Sequence, residues 1–304
     1  MADATPMQFR RQMEALARYS TPIGIDDLIR AIDGAALPRN PVMVTFDDGY
    51  KSCHDVALPI LRSVGIRATF FIATSFVSER RLYWWERISL LLSQARQAAT
   101  HKTLVLTYPR TIAFDLDDRK IHRRLTDVIK DTPDLDLERF LDELSRALGV
   151  EWTPQIEASY ADRLIMTWDQ VRALARAGMD VESHGRHHRV LQTLNGPALD
   201  SELAGSRKDL EAQLGRPVRA IAYPVGRRIQ SDPRIRDALA AAGYQLGLSN
   251  HSGVNRWWPP PLRNFAPIDR FDVRRLATDR TMSDAMFLTQ VAVPQLAYLS
   301  SHNR

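Results

Sequence analysis

Residues 41–73, PVMVTFDDGYKSCHDVALPILRSVGIRATFFIA, decide the fold class of this chain. The first six residues and the last six are apolar runs rich in β-branched and aromatic side chains, which is typical of buried strands. Residues 52–64 lie between these runs, are apolar at helical spacing and end at Gly65. A strand, a helix and a second strand within roughly 30 residues form a βαβ unit. The sequence therefore predicts a parallel sheet and an α/β fold.

The same alternation of helices and strands returns in the second half of the chain. Helices are predicted over 169–177, 199–214 and 233–242, and strands over 179–183, 218–222 and 244–249. Residues 80–160 differ, because they hold amphipathic helices around a predicted hairpin or extended segment at 103–114. We interpret 80–160 as a helical insertion in a single domain that spans residues 1–304. One further helix is predicted over residues 7–34.

The composition excludes several classes of protein. Of 304 residues, 41 are Lys or Arg and 36 are Asp or Glu, so the net charge is +5, and this balance leaves peripheral contact with an acidic membrane surface open. The single cysteine, Cys53, excludes an intrachain disulfide and a CxxC metal site. No RNP or Cys/His finger motif indicates nucleic-acid binding. No apolar run reaches the ~18 residues of a transmembrane helix, and no secretory leader is visible, so we expect a cytoplasmic protein. The oligomeric state is not indicated.

Two adjacent carboxylates, Asp47 and Asp48, follow the first strand of the βαβ unit and precede Gly49. Parallel α/β folds place their active sites at the carboxyl ends of strands. A turn that begins at the pair can bring both carboxylates to one opening, where two anions repel unless a cation or a shared proton relieves them. An aspartate before a helix is also typical of an N-cap, and that structural alternative stays open.

A histidine cluster, Ser183-His184-Gly185-Arg186-His187-His188, follows another predicted strand. His184 and His188 are four residues apart, so in a helical turn both imidazoles would share a face, whereas His187 would point elsewhere and serve a structural role. Imidazole nitrogen suits zinc and other late divalent metals. Together with one carboxylate of the pair, these histidines supply the three protein ligands of a catalytic zinc site. The structural alternative is a polar loop with hydrogen-bonded histidines.

Five ordered segments of the chain resemble the motifs of one family. They are VTFDDGYKS continued by ALPILRSVGIRATFFIA, then ESHGRHHRVL, AIAYPVG, AAGYQLGLSN and PLRNFAP. On these segments the chain resembles the polysaccharide deacetylases, also called carbohydrate esterase family 4 or the NodB-homology domain. The resemblance runs from about Phe9 to Pro267.

The resemblance implies a distorted (β/α)7-type barrel and hydrolysis of an N-acetyl group on an amino sugar. It implies a bound divalent metal, which we expect to be Zn²⁺, with Co²⁺, Ni²⁺ or Mn²⁺ as alternatives. By position, Asp48, His184 and His188 would hold the metal. Asp47 would be the general base, and the backbone N–H of Val225 would help to bind the oxyanion.

This sequence departs from the family pattern at several positions. Many members carry an arginine in the third motif that orients the base, and Arg263 of the PLR segment is our candidate for that role, with a structural ion pair as the alternative. The late Leu-x-x-His motif that supplies the general acid has no clear match. His251, just past a predicted strand, is an alternative, His302 lies near the end of the sequence, and the acid stays unassigned. Gly185 replaces the usual hydroxyl residue of the second motif. The opening strand of the barrel is also missing.

Two other functions use the same residues. One is a C–N hydrolase or deformylase that acts on a non-sugar amide, and the other is a catalytically impaired glycan-binding protein that retains the barrel. Aromatic residues at 83–85 and 257–258 are candidates for stacking on sugar rings, and those at 83–85 also fit helix packing.

Overall fold

The structure is a computed structural model that describes residues 5–98, 103–229, 232–255, 268–278 and 282–293. Its helices are α1 (Pro6–Tyr19), α2 (Ile25–Ile32), α3 (Leu58–Val64), α4 (Thr74–Ser78), α5 (Trp84–Ala98), α6 (Ile121–Asp131), α7 (Leu137–Ala147), α8 (Pro154–Leu164), α9 (Trp168–Arg176), α10 (Gly196–Leu214), α11 (Pro233–Ala241) and α12 (Asp284–Ala292). Its strands are β1 (Thr21–Pro22), β2 (Pro41–Val42), β3 (Val44–Phe46), β4 (Ala68–Ile72), β5 (Thr103–Leu106), β6 (Ile112–Asp115), β7 (Asp180–Ser183), β8 (Ala220–Ala222), β9 (Leu246–Ser252) and β10 (Val273–Arg275). Among these residues, no helix is both long and apolar enough to cross a bilayer.

Six strands form one parallel sheet in the order β10-β9-β8-β7-β4-β3. The predicted α/β class and parallel sheet are therefore confirmed. In a flat sheet, five spacings of about 4.8 Å would hold the two edge strands roughly 24 Å apart. Here Arg275 at the end of β10 lies 2.7 Å from Asp47, the residue after β3. The sheet is therefore curled into a half-barrel whose two edges approach each other at their carboxyl ends.

The prediction of one continuous helix over residues 7–34 is wrong. The chain forms α1 and α2, separated by Ser20–Gly24, because Pro22 disrupts a helix interior. The interrupting residues make a short parallel pairing in which the N–H groups of Thr21 and Ile23 donate to the carbonyls of Asn40 and Val42. This β1–β2 pair is separate from the main sheet, and the apolar run over 41–46 divides between the two sheets.

Residues 84–152 contain a hydrophobic cluster of their own, separate from the cluster around the main sheet. The antiparallel hairpin β5–β6 contributes buried side chains to this cluster, as do α5, α6 and α7, and β5 contacts α7 directly. The hairpin lies at 103–115, where the sequence predicts a hairpin or extended segment. Alternation along β5 decides which side chains enter this cluster, since Leu104 and Leu106 are buried whereas Val105 is 50% exposed. Our interpretation of 80–160 as an insertion within a single domain stays a prediction.

This alternation predicts that two substitutions on the same strand lower stability by different amounts. Leu104→Ala leaves a cavity in the insertion cluster and is expected to lower the free energy of unfolding by about 2–5 kcal/mol. Val105→Ala is the control and should cost less than about 1 kcal/mol, because this side chain is half exposed. Urea unfolding followed by circular dichroism measures both values. Equal losses from the two variants would contradict the packing of β5 described here.

Candidate active site

The predicted site residues meet at one end of the parallel sheet. Asp47 and Asp48 directly follow β3, and His184 directly follows β7. Val225 lies just past the end of β8, and Arg275 ends β10. The carboxyl ends of parallel strands all lie at the same end of the sheet, and α/β folds place their active sites there. The curl of the sheet brings residues from its centre and from both of its edges to this opening.

Asp48, His184 and His188 surround one point. Oδ1 of Asp48 lies 3.3 Å from Nε2 of His184 and 3.4 Å from Nε2 of His188. Ligand atoms of the three residues all lie within 4.8 Å of one another, and the two histidines are buried. The two imidazole rings are 4.8 Å apart at their centroids and inclined by 70°. The structure thus brings together the three residues that the sequence nominated as metal ligands.

The donor set fits a divalent metal. Oδ1 of Asp48 is buried and makes no hydrogen bond, although it faces two imidazole nitrogens. Ligand atoms at about 2.0–2.1 Å from a tetrahedral Zn²⁺ lie roughly 3.3–3.4 Å apart, which matches the two distances measured here. Two nitrogens and one carboxylate oxygen are ligands that zinc prefers. The unsatisfied oxygen and the spacing together support a metal site.

Neighbouring groups fix the orientation of these ligands. Nδ1 of His184 lies 2.8 Å from the carbonyl oxygen of Ala222 in β8, so this nitrogen donates and Nε2 faces the centre of the site. The buried hydroxyl of Tyr83 donates to the backbone carbonyl of Asp48, which has φ +73°. Tyr83 therefore supports an uncommon backbone conformation at the residue that places a carboxylate between the two imidazoles.

The charges of the ligands stabilise one another. Burial raises the pKa of Asp48, but the two imidazoles of His184 and His188 beside it lower it by more, so its pKa lies well below the ordinary value. Burial lowers the pKa of His184, whereas Asp47 and Asp48 raise it above its ordinary value. A metal ion bound here would stabilise the ionised carboxylate of Asp48 and would bind His184 in its neutral form.

The geometry of the histidine cluster differs from the predicted one. His184 and His188 do not lie in a helical turn; residues 184–190 form an irregular loop with φ +77° at Gly185 and φ +53° at His188. The two imidazoles converge because the loop reverses direction, and not because of helical spacing. The ring of His187 points away from the ligands and contacts Glu202, as expected for a structural role.

Asp47, the predicted base, is held by an arginine that the sequence analysis did not single out. Nη1 and Nη2 of Arg275 donate to the two carboxylate oxygens of Asp47 at 2.7 and 2.8 Å. Arg275 also donates to the side-chain oxygen of Asn250 at 2.5 Å. Burial raises the pKa of Asp47, but Arg275 and then His184 lower it by more, so the carboxylate is ionised at neutral pH. Arg263, our candidate for this role, lies outside the described residues.

Val225 lies in a strained turn beside the ligands. It follows Pro224 and has φ +62°, which is rare for a β-branched residue. The carbonyl of Ala222 that fixes His184 is three residues earlier, so this turn and the ligand share one end of β8 and β7. Backbone strain of this kind is concentrated at functional sites, which agrees with the role predicted for the Val225 N–H.

An aromatic cluster from the start of the insertion borders the site. The ring of Trp85 lies 4.7 Å from that of His188 and stacks on Tyr83 at 4.4 Å, and its Nε1 donates to the hydroxyl of Tyr50. Trp84 instead is buried in the insertion cluster. Trp85 contacts both clusters, so the insertion adjoins the ligands directly. His251 lies near the end of β9, and residues 257, 258 and 302 lie outside the described residues.

Comparison with known proteins assigns the family. A model of the polysaccharide deacetylase family matches residues 34–247, and the chain belongs to that family. It is 31% identical over 89 residues to YxkH of Bacillus subtilis (strain 168), which is named as a polysaccharide deacetylase. That alignment covers 29% of this chain and spans 31% of the length of YxkH. The resemblance seen in the sequence motifs is therefore confirmed.

Solved structures support the fold. The deacetylase PplD of Streptococcus pyogenes, solved in complex with acetate, matches with a TM-score of 0.59 at 16% identity, over 96% of this chain and 89% of that one. The polysaccharide deacetylase BC0361 of Bacillus cereus matches with a TM-score of 0.56 at 17% identity, over 96% of this chain and 63% of that one. The curled parallel sheet is thus a distorted (β/α)7-type barrel, as predicted, with six strands in its main sheet among the described residues.

The pairing of Arg275 with Asp47 predicts how the carboxylate titrates. In Arg275→Gln, burial is no longer offset by the guanidinium, so the pKa of Asp47 should rise above its wild-type value. Carbon-13 NMR titration of the aspartate carboxyl groups in chelator-treated protein measures it, with Asp47→Asn to assign the signal. The adjacent Arg274→Gln is the matched control and should leave this titration unchanged. An unaltered Asp47 titration in Arg275→Gln would contradict the assignment.

Proposed function

We propose that this protein is a metal-dependent hydrolase that removes an N-acetyl group from an amino sugar of a glycan, glycolipid or glycosylated small molecule. The observation that carries the proposal is the unsatisfied, buried carboxylate oxygen of Asp48 between the two imidazoles of His184 and His188. Family membership supports the reaction class, and the ionised Asp47 beside the ligands supplies a base.

Asp48, His184 and His188 would hold the metal, and zinc is the ion that we propose. When bound, such an ion polarises a carbonyl group and lowers the pKa of a coordinated water to about 7. Three protein ligands leave an open position for substrate or water. The fixed orientation of His184 and the support of Asp48 by Tyr83 mean that the ligands are arranged before the metal arrives.

Asp47 acts as the general base in this proposal. Its carboxylate takes a proton from the water molecule whose oxygen attacks the acetyl carbonyl carbon. Both oxygens of Asp47 are bonded to Arg275, which keeps the carboxylate ionised and restricts its rotation. Arg275 is therefore a positioning residue for the base.

The backbone N–H of Val225 is proposed to donate to the oxygen that becomes negative as water adds to the carbonyl. A single donor of this kind lowers the activation barrier by about 3–4 kcal/mol. The C–N bond then breaks, the nitrogen takes up a proton, and acetate and the free amine are released. No described residue is assigned as the proton donor to the nitrogen.

The substrate class and location are also proposals. PplD was solved with acetate, the product expected from deacetylation. Trp85, which borders His188 and is partly exposed, offers an aromatic surface for a sugar ring. Action in the cytoplasm on a precursor glycan agrees with the expectation from the sequence, and fractionation of the native cells would test it.

Metal content separates the roles of the two aspartates. His184→Ala and Asp48→Asn are expected to lose the metal, whereas Asp47→Asn should retain it and lose turnover by about 10²–10⁴-fold. Elemental analysis by plasma mass spectrometry and an acetate-release assay measure the two properties. His54→Ala, at a partly exposed position outside the site, is the control that should keep both. Loss of metal from Asp47→Asn would refute its assignment as the base.

A substrate panel separates the sugar deacetylase from the other C–N hydrolases. We expect release of acetate and a free amine from N-acetylglucosamine oligomers, and little reaction with simple acetamides or formamides, because aromatic contacts with the sugar are missing from small amides. Preference for the simple amides would instead favour the non-sugar hydrolase. Metal binding with no turnover on any member of the panel would favour the glycan-binding alternative.

A further inference from the structure

One buried carboxylate organises the loop that carries both histidine ligands. Glu202 lies in α10 and is 2% exposed. Its Oε1 accepts hydrogen bonds from the backbone N–H groups of Arg186, His187 and Arg189 at 3.0, 2.9 and 3.2 Å. Its Oε2 lies 3.0 Å from the same His187 N–H and 3.1 Å from Nδ1 of the His187 ring. The backbone N–H groups of residues 186, 187 and 189, on both sides of His188, thus converge on one side chain.

The opposite side of the loop is also held. The carbonyls of Gly185 and Arg186 accept from the N–H groups of Thr74 and Ser75 at the start of α4. The loop therefore presents its donors to Glu202 and its acceptors to α4, and the bonded groups lie between and beside His184 and His188. A carboxylate enclosed by successive backbone N–H groups fixes an irregular loop much as a bound anion does. The convergence of the two imidazoles depends on this arrangement because no helix supplies it.

Gly185 makes the close approach of Glu202 feasible. A Cβ at this position would lie 2.6 Å from Oε1 of Glu202, and the residue has φ +77°. The second motif of this chain has glycine where the family usually has a hydroxyl residue. The structure gives a reason for the departure, since the space next to residue 185 is filled by the carboxylate.

We infer that Glu202 is a positioning residue for the metal ligands, and that its carboxylate sets the spacing of His184 and His188. The inference rests on the metal site proposed above. Partners that orient metal ligands from outside the coordination shell change metal affinity by about 10–100-fold when they are mutated. Glu202 does so through the loop that carries the ligands, because its hydrogen bonds go to the backbone N–H groups of that loop and to the ring of His187.

The first test compares two substitutions on one helix. Glu202→Gln puts an amide group among the N–H donors and is expected to weaken Zn²⁺ binding, measured by calorimetry with zinc chloride and a competing chelator, by about 10–100-fold. Glu211→Gln is the matched control, since Glu211 also lies in α10 and accepts one backbone N–H, that of Val218. Its zinc affinity should stay within about twofold of wild type. Unchanged zinc affinity in Glu202→Gln would overturn the inference.

A second readout does not need the metal. In chelator-treated protein, hydrogen exchange of the amides at 186, 187 and 189 should be at least about tenfold faster in Glu202→Gln than in wild type, and unaltered in Glu211→Gln. If wild type bound no divalent ion, the proposed function would fail, whereas this exchange experiment would still decide whether Glu202 orders the loop. Equal exchange in wild type and Glu202→Gln would overturn that role.

A third comparison covers the case in which Glu202→Gln does not fold. Gly185→Ala keeps the carboxylate but forces it away from the loop, and should weaken zinc binding by a similar factor. Gly178→Ala is its control, because Gly178 has nearly the same backbone angle, φ +82°, with no atom within 4 Å of a Cβ. Both variants carry the backbone strain, and only Gly185→Ala disturbs Glu202. Equal zinc affinities in the two variants would contradict the proposed role.

Discussion

The closeness of the two sheet edges is the constraint on which the site depends. β3 and β10 are the edge strands of the main sheet, yet Asp47 and Arg275 from their carboxyl ends form a two-pronged ion pair. A flat sheet would separate these residues by many ångströms, so the pair exists only because the sheet curls. The curl also directs the strand ends inward, which is why residues far apart in sequence share one opening. The pairing of Asp47 with Arg275, which keeps the base ionised, follows from it.

The sequence predicted those site residues whose position after a strand is enough to place them in the site. Asp48 and His184 lie at the carboxyl ends of two parallel strands, and strand-end position alone predicts that they meet. Helical spacing, by contrast, gave the wrong reason for the pairing of His184 with His188. Contacts made across the barrel leave no local signal, and the role of Arg275 depends on closure between strands that are first and last in the sheet. A single arginine at the end of a short strand could not be distinguished from the many others in this chain.

The ligands are held by groups from several parts of the fold. His184 is fixed by β8, Asp48 by Tyr83 at the entrance to the insertion, and the loop around His188 by α10. Ala222 of β8 lay in the AIAYPVG segment and Tyr83 lay among the aromatic candidates, but neither was predicted to hold a ligand. Such partners orient ligands without sharing a motif with them, so spacing rules do not find them. Gly185 did leave a signal in the sequence, because it departs from the family pattern at the position where the Glu202 carboxylate occupies the space of a side chain.

Zinc K-edge X-ray absorption of the zinc-loaded protein tests the central claim most directly. The account predicts a first shell of two imidazole nitrogens and at least one carboxylate oxygen at about 2.0–2.2 Å, with the outer-shell scattering that imidazole rings produce. A spectrum with oxygen neighbours alone, or with one imidazole, would show that Asp48, His184 and His188 do not bind the ion together.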